Sequence, residues 1–118
     1  MRGIFADLHI HSKYSRACSK DLSFENLVKY AKIKGLGLLG TGDFTHPKWF
    51  NELQQKLVSA SDKQLYRLGS DKIPNILFMI TTEVNTTFPF KNETKKVHHV
   101  ILTPNLETAS QINDRLPK

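Results

Sequence analysis

Three apolar runs, Ile4 to Leu8, Leu36 to Gly40 and Ile76 to Thr82, each lead into a side chain able to bind a metal: His9 and His11, Asp43, and Glu83. Short continuous apolar stretches of this kind suit strands covered on both faces. Between the first two lies a helix signature. Ser23 stands at the cap position, Phe24, Leu27, Val28 and Ala31 recur at i, i+3, i+4 and i+7, and Gly35 lies just past the end. Strand, helix, strand points to a parallel crossover unit, since parallel neighbours need a long connection. In such sheets and barrels the carboxyl ends of the strands converge on one face, so residues distant in sequence come to share one site.

Further along, Pro47 suits the first turn of a second helix burying Trp49, Leu53 and Leu57. The polar stretch from Ser59 to Asn75, with turn formers Gly69, Ser70, Asp71 and Pro74, predicts a surface excursion. Val84 to Phe88 and Lys96 to Thr103 predict a β-hairpin, and Asn105 caps a last helix holding Ala109, Ile112 and Leu116. The expected class is α/β. At 118 residues the chain suits one domain.

Composition excludes several classes. With 39% hydrophobic and 24% charged residues, the chain is not of the disordered kind. The longest apolar stretch, Ile76 to Ile80, is too short to span a bilayer, and no leader is visible ahead of the first motif, so no membrane association is expected. Cys18 is the only cysteine, which rules out an intrachain disulfide and makes a reducing, cytoplasmic location the expectation. Lys and Arg outnumber Asp and Glu by 17 to 11, a formal charge of +6. That balance favours an anionic partner, DNA or a phosphorylated small molecule, or is simply a soluble basic surface, since the lysines are scattered.

The chemistry resides in a few side chains. In an extended segment alternate residues point the same way, so His9 and His11 can reach one metal while Asp7 orients an imidazole or adds an oxygen ligand. Zinc, manganese or iron accept such a mixture. Asp43 follows glycines that permit a tight turn, and is either a ligand or a turn residue. His46 is either a second ligand from that loop or a polar residue before proline. Glu83 follows an apolar strand, where an unpartnered carboxylate costs several kcal/mol if buried; it has either a metal partner or a strand that has already reached solvent. His98 and His99 are consecutive, so in a strand only one of them faces the site. Alternation does not choose between them.

Taken together, Asp7 through Ser12, Gly40-Thr41-Gly42-Asp43, Thr82-Glu83-Val84 and Val97 through Leu102 resemble, in order, the first motifs of the PHP (polymerase and histidinol phosphatase) superfamily. Asp7 through Ser12, Tyr14-Ser15-Arg16 and Gly40 through Trp49 most resemble the group around endonuclease Q, also labelled UvrD-type helicase-associated proteins. The resemblance implies a distorted (β/α)7 barrel with two or three divalent metals at the strand ends, where activated water attacks a phosphoester. It also implies that residues 1–118 form a single, partial domain of that kind, about the first half of the barrel, because nothing after His99 supplies the later His and Asp-x-His motifs.

By the same resemblance, His9 and His11 hold the first metal, Glu83 bridges to a second, and His98 is the next ligand. Asp7, Asp43 and Glu83 are then the catalytic carboxylates, with Asp43 a further ligand. Arg16 and Phe44 stand where many members have ligands, which leaves a third metal site to His46. Lys13 and Arg16, close in sequence to the histidines, are candidates for substrate phosphate. The function expected is metal-dependent phosphodiester hydrolysis on DNA, of the endonuclease or DNA-repair type. The alternatives are a histidinol-phosphatase-like phosphomonoesterase and a non-catalytic metal- or nucleic-acid-binding fragment of a longer protein.

Overall fold

The computed structural model describes residues 3–15, 23–60, 64–70 and 76–117. Arg16, Cys18, Asp71 and Pro74 lie outside them. Six strands and three helices follow in the order β1 (Ala6–Asp7), α1 (Phe24–Lys34), β2 (Leu38–Gly40), α2 (Pro47–Lys56), β3 (Leu57–Ser59), β4 (Tyr66–Leu68), β5 (Leu77–Phe90), β6 (Glu93–Thr103) and α3 (Leu106–Arg115). The sheet runs β1-β2-β5-β4-β3, with β6 paired to β5. β1, β2 and the start of β5 are parallel, as the strand-helix-strand pattern predicts, while β3, β4 and β6 join antiparallel. The architecture is mixed α/β.

Local chemistry explains the helices. The Ser23 side chain accepts from the Asn26 N–H at the start of α1, and Gly35 ends it at φ +74°, where only glycine is unstrained. Phe24, Leu27, Val28 and Ala31 are the buried face, in keeping with their spacing. Pro47 opens α2, which buries Trp49 and Leu53, and the Asn105 side chain accepts from Thr108 N–H at the start of α3.

The core is centred on an aromatic stack. Phe24 lies parallel to Trp49 with ring centroids 4.4 Å apart and meets Phe78 edge-on at 5.6 Å, so α1, α2 and β5 share one contact. The Trp49 indole N–H, fully buried, donates to the carbonyls of Thr41 (3.2 Å) and Gly42 (2.9 Å). Core packing therefore reaches directly into the loop that carries Asp43.

Three elements differ from expectation. The Ile4 to Leu8 run forms a strand of only two residues, with Ile4 and Phe5 exposed, because β1 has a sheet neighbour on one side only among the described residues. Leu57, expected on the second helix, instead opens β3 after α2 ends at Lys56, and Leu57–Ser59 pairs with Tyr66–Leu68 of the expected surface excursion as an antiparallel ribbon whose Leu57, Tyr66 and Leu68 are buried. The hairpin forms in the expected region, but its first strand is no separate element: the third apolar run and Val84 to Phe88 make one continuous strand, Leu77–Phe90, with Glu83 inside it, and β5 and β6 pair from Ile80–Thr103 out to Phe90–Glu93.

Candidate metal centre

Where β2 ends, beside the middle of β5, backbone and side chains are tied together. Thr41 and Thr81 are buried and exchange bonds: the Thr81 N–H donates to the Thr41 hydroxyl (3.1 Å), the Thr41 hydroxyl to the Thr81 carbonyl (3.3 Å), and the Gly42 N–H to the Thr81 hydroxyl (2.9 Å). These bonds hold the turn that leads to Asp43 against the strand that leads to Glu83. The glycines make the close approach possible. A Cβ on Gly40 would sit 2.6 Å from the Leu8 carbonyl oxygen, and one on Gly42, at φ +65°, only 2.2 Å from that of Ile10. The exit of β1 thus packs backbone-to-backbone on the Asp43 loop.

The result is a cluster around Glu83. Ligand atoms of His9, His11 and Glu83 all lie within 4.8 Å of one another. His9 Nε2–H donates to Glu83 Oε2 at 2.6 Å, His98 Nδ1–H donates to Glu83 Oε1, and His11 Nε2 stands 3.1 Å from Glu83 Oε2. The bonds from His9 and then His98 hold the Glu83 carboxyl well below the ordinary range, at about 2. Glu83 is therefore a carboxylate at neutral pH. His99 faces the other way, its Nε2 3.0 Å from the Thr86 hydroxyl.

The other named residues are placed as follows. Asp43, in a left-handed conformation at φ +50°, accepts on Oδ2 from both the Ser12 N–H and the Ser12 hydroxyl at 2.7 Å, and its Oδ1 lies 3.2 Å from His11 Nδ1. Asp7 is exposed and accepts from the His9 N–H at 3.2 Å, capping the strand exit rather than entering the cluster. His46 begins α2 and stacks on Tyr14 at 4.6 Å, its Nδ1 buried without a partner; it is not in the three-residue group.

Lys13 Nζ pairs with Glu52 at 3.0 Å, and the Tyr14 hydroxyl donates to the same carboxylate at 2.7 Å. Partial burial pushes the Glu52 carboxyl up, but those two donors outweigh it and leave it lowered, while the bonds to Glu52 raise both Lys13 and Tyr14. In the sequence Ser12 stands only as the last residue of the first motif, with no role assigned, and Glu52 carries no recognisable signal beyond a place on the α2 helix one turn after Trp49.

The donor set fits a divalent cation. Imidazole and carboxylate groups converge, the central carboxylate is ionised, and their separations suit metal bonds of about 2.0–2.2 Å. The site is also open: about half of the His9 and His98 side-chain surface is accessible to solvent. A cleft of about 950 Å³ between α2, β5 and α3, lined by Thr45, Phe50, Val84 and Asn113 among others, contains none of the three ligands.

No family model matches the chain. Uncharacterized protein MJ0043 of Methanocaldococcus jannaschii is 36% identical over 112 residues, covering 95% of this chain and 11% of that protein. Among solved structures, the lesion-specific endonuclease PfuEndoQ of Pyrococcus furiosus superposes with a TM-score of 0.73 at 31% identity, over 95% of this chain and 25% of that one. Endonuclease Q in complex with a 27-mer duplex substrate, an abasic lesion at its active site, gives the same figures. The chain thus spans about a quarter of the endonuclease Q structures and about a ninth of the curated relative. Among the described residues no helix is long and apolar enough to cross a membrane.

Proposed function

We propose that this chain is the metal-binding first part of a PHP-type phosphodiesterase that cuts DNA, of the endonuclease Q kind. The observation that carries the reading is the convergence of His9, His11 and Glu83 just beyond the parallel-paired stretches of β1 and β5, in a fold similar to endonuclease Q. The outer strands support the partial-barrel reading. β1 and β6 each pair on one side only among the described residues, and Ile4, Phe5, Val100 and Leu102 on or beside them are exposed, as in a sheet that continues. The openness of the cluster favours a polymer over a small phosphomonoester, which is ordinarily held in a concave pocket.

In this reading His9, His11 and Glu83 hold the metal, zinc, manganese or iron, and His98 on the far oxygen of Glu83 serves a second ion. A divalent ion bound there supplies Lewis-acid polarisation of a phosphoryl oxygen and acidification of water. The chain's own residues do the rest. Glu83, a carboxylate already in the metal-free protein, offers its oxygens to the ion, Asp7 fixes the strand exit, and Lys13, after exchanging its Glu52 partner, joins Arg16 in contacting substrate phosphate. The basic balance of the chain suits a DNA backbone.

The test is metal content by elemental analysis, zinc and manganese affinity by calorimetry, and cleavage of a lesion-bearing duplex beside a phosphomonoester. We expect stoichiometric metal, loss of at least 100-fold in affinity on Glu83→Gln, and preference for the duplex. Metal-free protein whose affinity and activity ignore Glu83→Gln would remove the proposal.

A further inference from the structure

Asp43 stands close enough to the cluster to pass for a ligand, but both its oxygens are already engaged. Oδ2 receives two donors from Ser12, the backbone N–H and the hydroxyl, each at 2.7 Å. The hydroxyl in turn accepts from the Tyr14 N–H at 3.2 Å, which turns its own hydrogen toward Asp43. Ser12 is fully buried, so these donors have no alternative in water. Oδ1 is left facing His11 Nδ1 at 3.2 Å.

A carboxylate only accepts, so Nδ1 carries the hydrogen. A neutral imidazole has one N–H, and Nε2 then bears the lone pair. That lone pair lies 3.1 Å from another acceptor, Glu83 Oε2. Two acceptors facing each other at this distance are stable with a cation between them.

We propose that Asp43 is a positioning residue rather than a ligand: with Ser12 it locks His11 in the Nδ1–H tautomer and presents Nε2 to the metal. This rests on the reading of the cluster as a metal site, but the lock itself is a property of the metal-free protein. An Asn at 43 makes the distinction sharp. The Ser12 N–H can only donate, so the amide oxygen must take the Oδ2 place and the amide NH2 then faces His11 Nδ1. Nδ1 becomes an acceptor, the hydrogen moves to Nε2 and is donated to Glu83, and the metal loses its lone pair. An isosteric change thus blocks the site, whereas Ala only frees the ring.

The experiment reads the ring nitrogens of His11 by 15N–1H correlation in metal-free protein at about pH 9, above the ordinary imidazole range, alongside zinc affinity. We expect Nδ1–H in the wild type and Nε2–H in Asp43→Asn. Zinc affinity should fall roughly 10- to 100-fold in Asp43→Asn, the usual effect of removing an outer partner of a ligating histidine, and at least as far as in Asp43→Ala. A directly ligating Asp43 predicts the reverse order, with Ala the worse, and that result overturns the proposal. An Nε2–H wild type overturns it with no variant needed, so a variant that fails to fold does not shelter it. A wild type holding Nδ1–H that binds no metal supports the lock and sinks the proposed function alone.

Discussion

Gly42→Ala tests the claim that backbone contact between two strand exits builds the site. Two costs arise. At φ +65° an alanine pays the left-handed penalty, roughly 1 kcal/mol. Its Cβ would also stand 2.2 Å from the Ile10 carbonyl oxygen and 2.9 Å from its carbon, against an ordinary carbon–oxygen contact of about 3.3 Å, so the Ile10–His11 backbone must move by about 1 Å. Forced overpacking of this order adds about 1–3 kcal/mol.

Gly35→Ala is the internal control. It too lies at positive φ, +74°, but a Cβ there meets nothing within 4 Å, so it carries the left-handed penalty alone. The entropy that an added methyl removes from the unfolded chain is common to both and cancels in the comparison. At roughly 4 °C per kcal/mol for a chain of this size, Gly35→Ala should melt about 4 °C low and Gly42→Ala at least about 8 °C low. Since the displaced segment carries His11, Gly42→Ala should also weaken zinc binding about tenfold, while Gly35→Ala leaves it unchanged. Thermal melts and zinc titration decide it. Equal melting losses, or full zinc affinity in Gly42→Ala, would refute the packing argument.

Trp49→Phe keeps the stack on Phe24 but removes the donor shared by the Thr41 and Gly42 carbonyls, and should cost about 1–3 kcal/mol in chemical denaturation, with loosened amide protection confined to the Asp43 loop. Glu52→Gln should flatten the acid limb of stability. The folded-state Glu52 carboxyl lies below its ordinary 4.5, so its contribution is present above that value and lost as pH falls through the folded-state value. The variant should therefore trail the wild type by about 1 kcal/mol or less near neutrality, and the gap should close in acid; a gap constant with pH counts against the ion pair.

Legibility in the sequence followed the range of the forces involved. α1 could be read almost residue by residue because its cap, apolar period and C-terminal glycine are local. The ribbon of β3 and β4 could not. Its buried Tyr66 and Leu68 flank Arg67 in a three-residue strand set among polar residues, and it takes structure from its three pairs with Leu57–Ser59 and from the Tyr66–Phe78 pair to the main sheet. His9, His11 and Glu83 could be named as candidates from their place after apolar runs. What each does depends on donors and acceptors from elsewhere. Nothing in the sequence shows that Asp43 accepts two hydrogen bonds from Ser12, or that Lys13 is paired with Glu52.

The choice between His98 and His99 shows how far from the site such a decision can be made. β5 and β6 are joined at Lys91 and Asn92, both left-handed, at φ +51° and +65°. Two successive residues of that kind make the tight two-residue hairpin turn whose twist matches the strands, and asparagine takes such a conformation more readily than most residues. The turn closes on the Phe90–Glu93 pair, and every pair behind it couples positions of opposite parity, so that odd positions of β5 meet even ones of β6, Glu83 with Val100 and Asn85 with His98 among them. Side chains of a pair share a face, so Glu83 and His98 stand on the same side and His99 on the other. A loop that took in Glu93 and closed on Phe90 and Thr94 would reverse that parity and turn His99 toward Glu83, with no change to either histidine. Which histidine meets Glu83 is thus set by backbone geometry eight and nine residues along the chain from Glu83, where a search for metal-binding side chains has nothing to find.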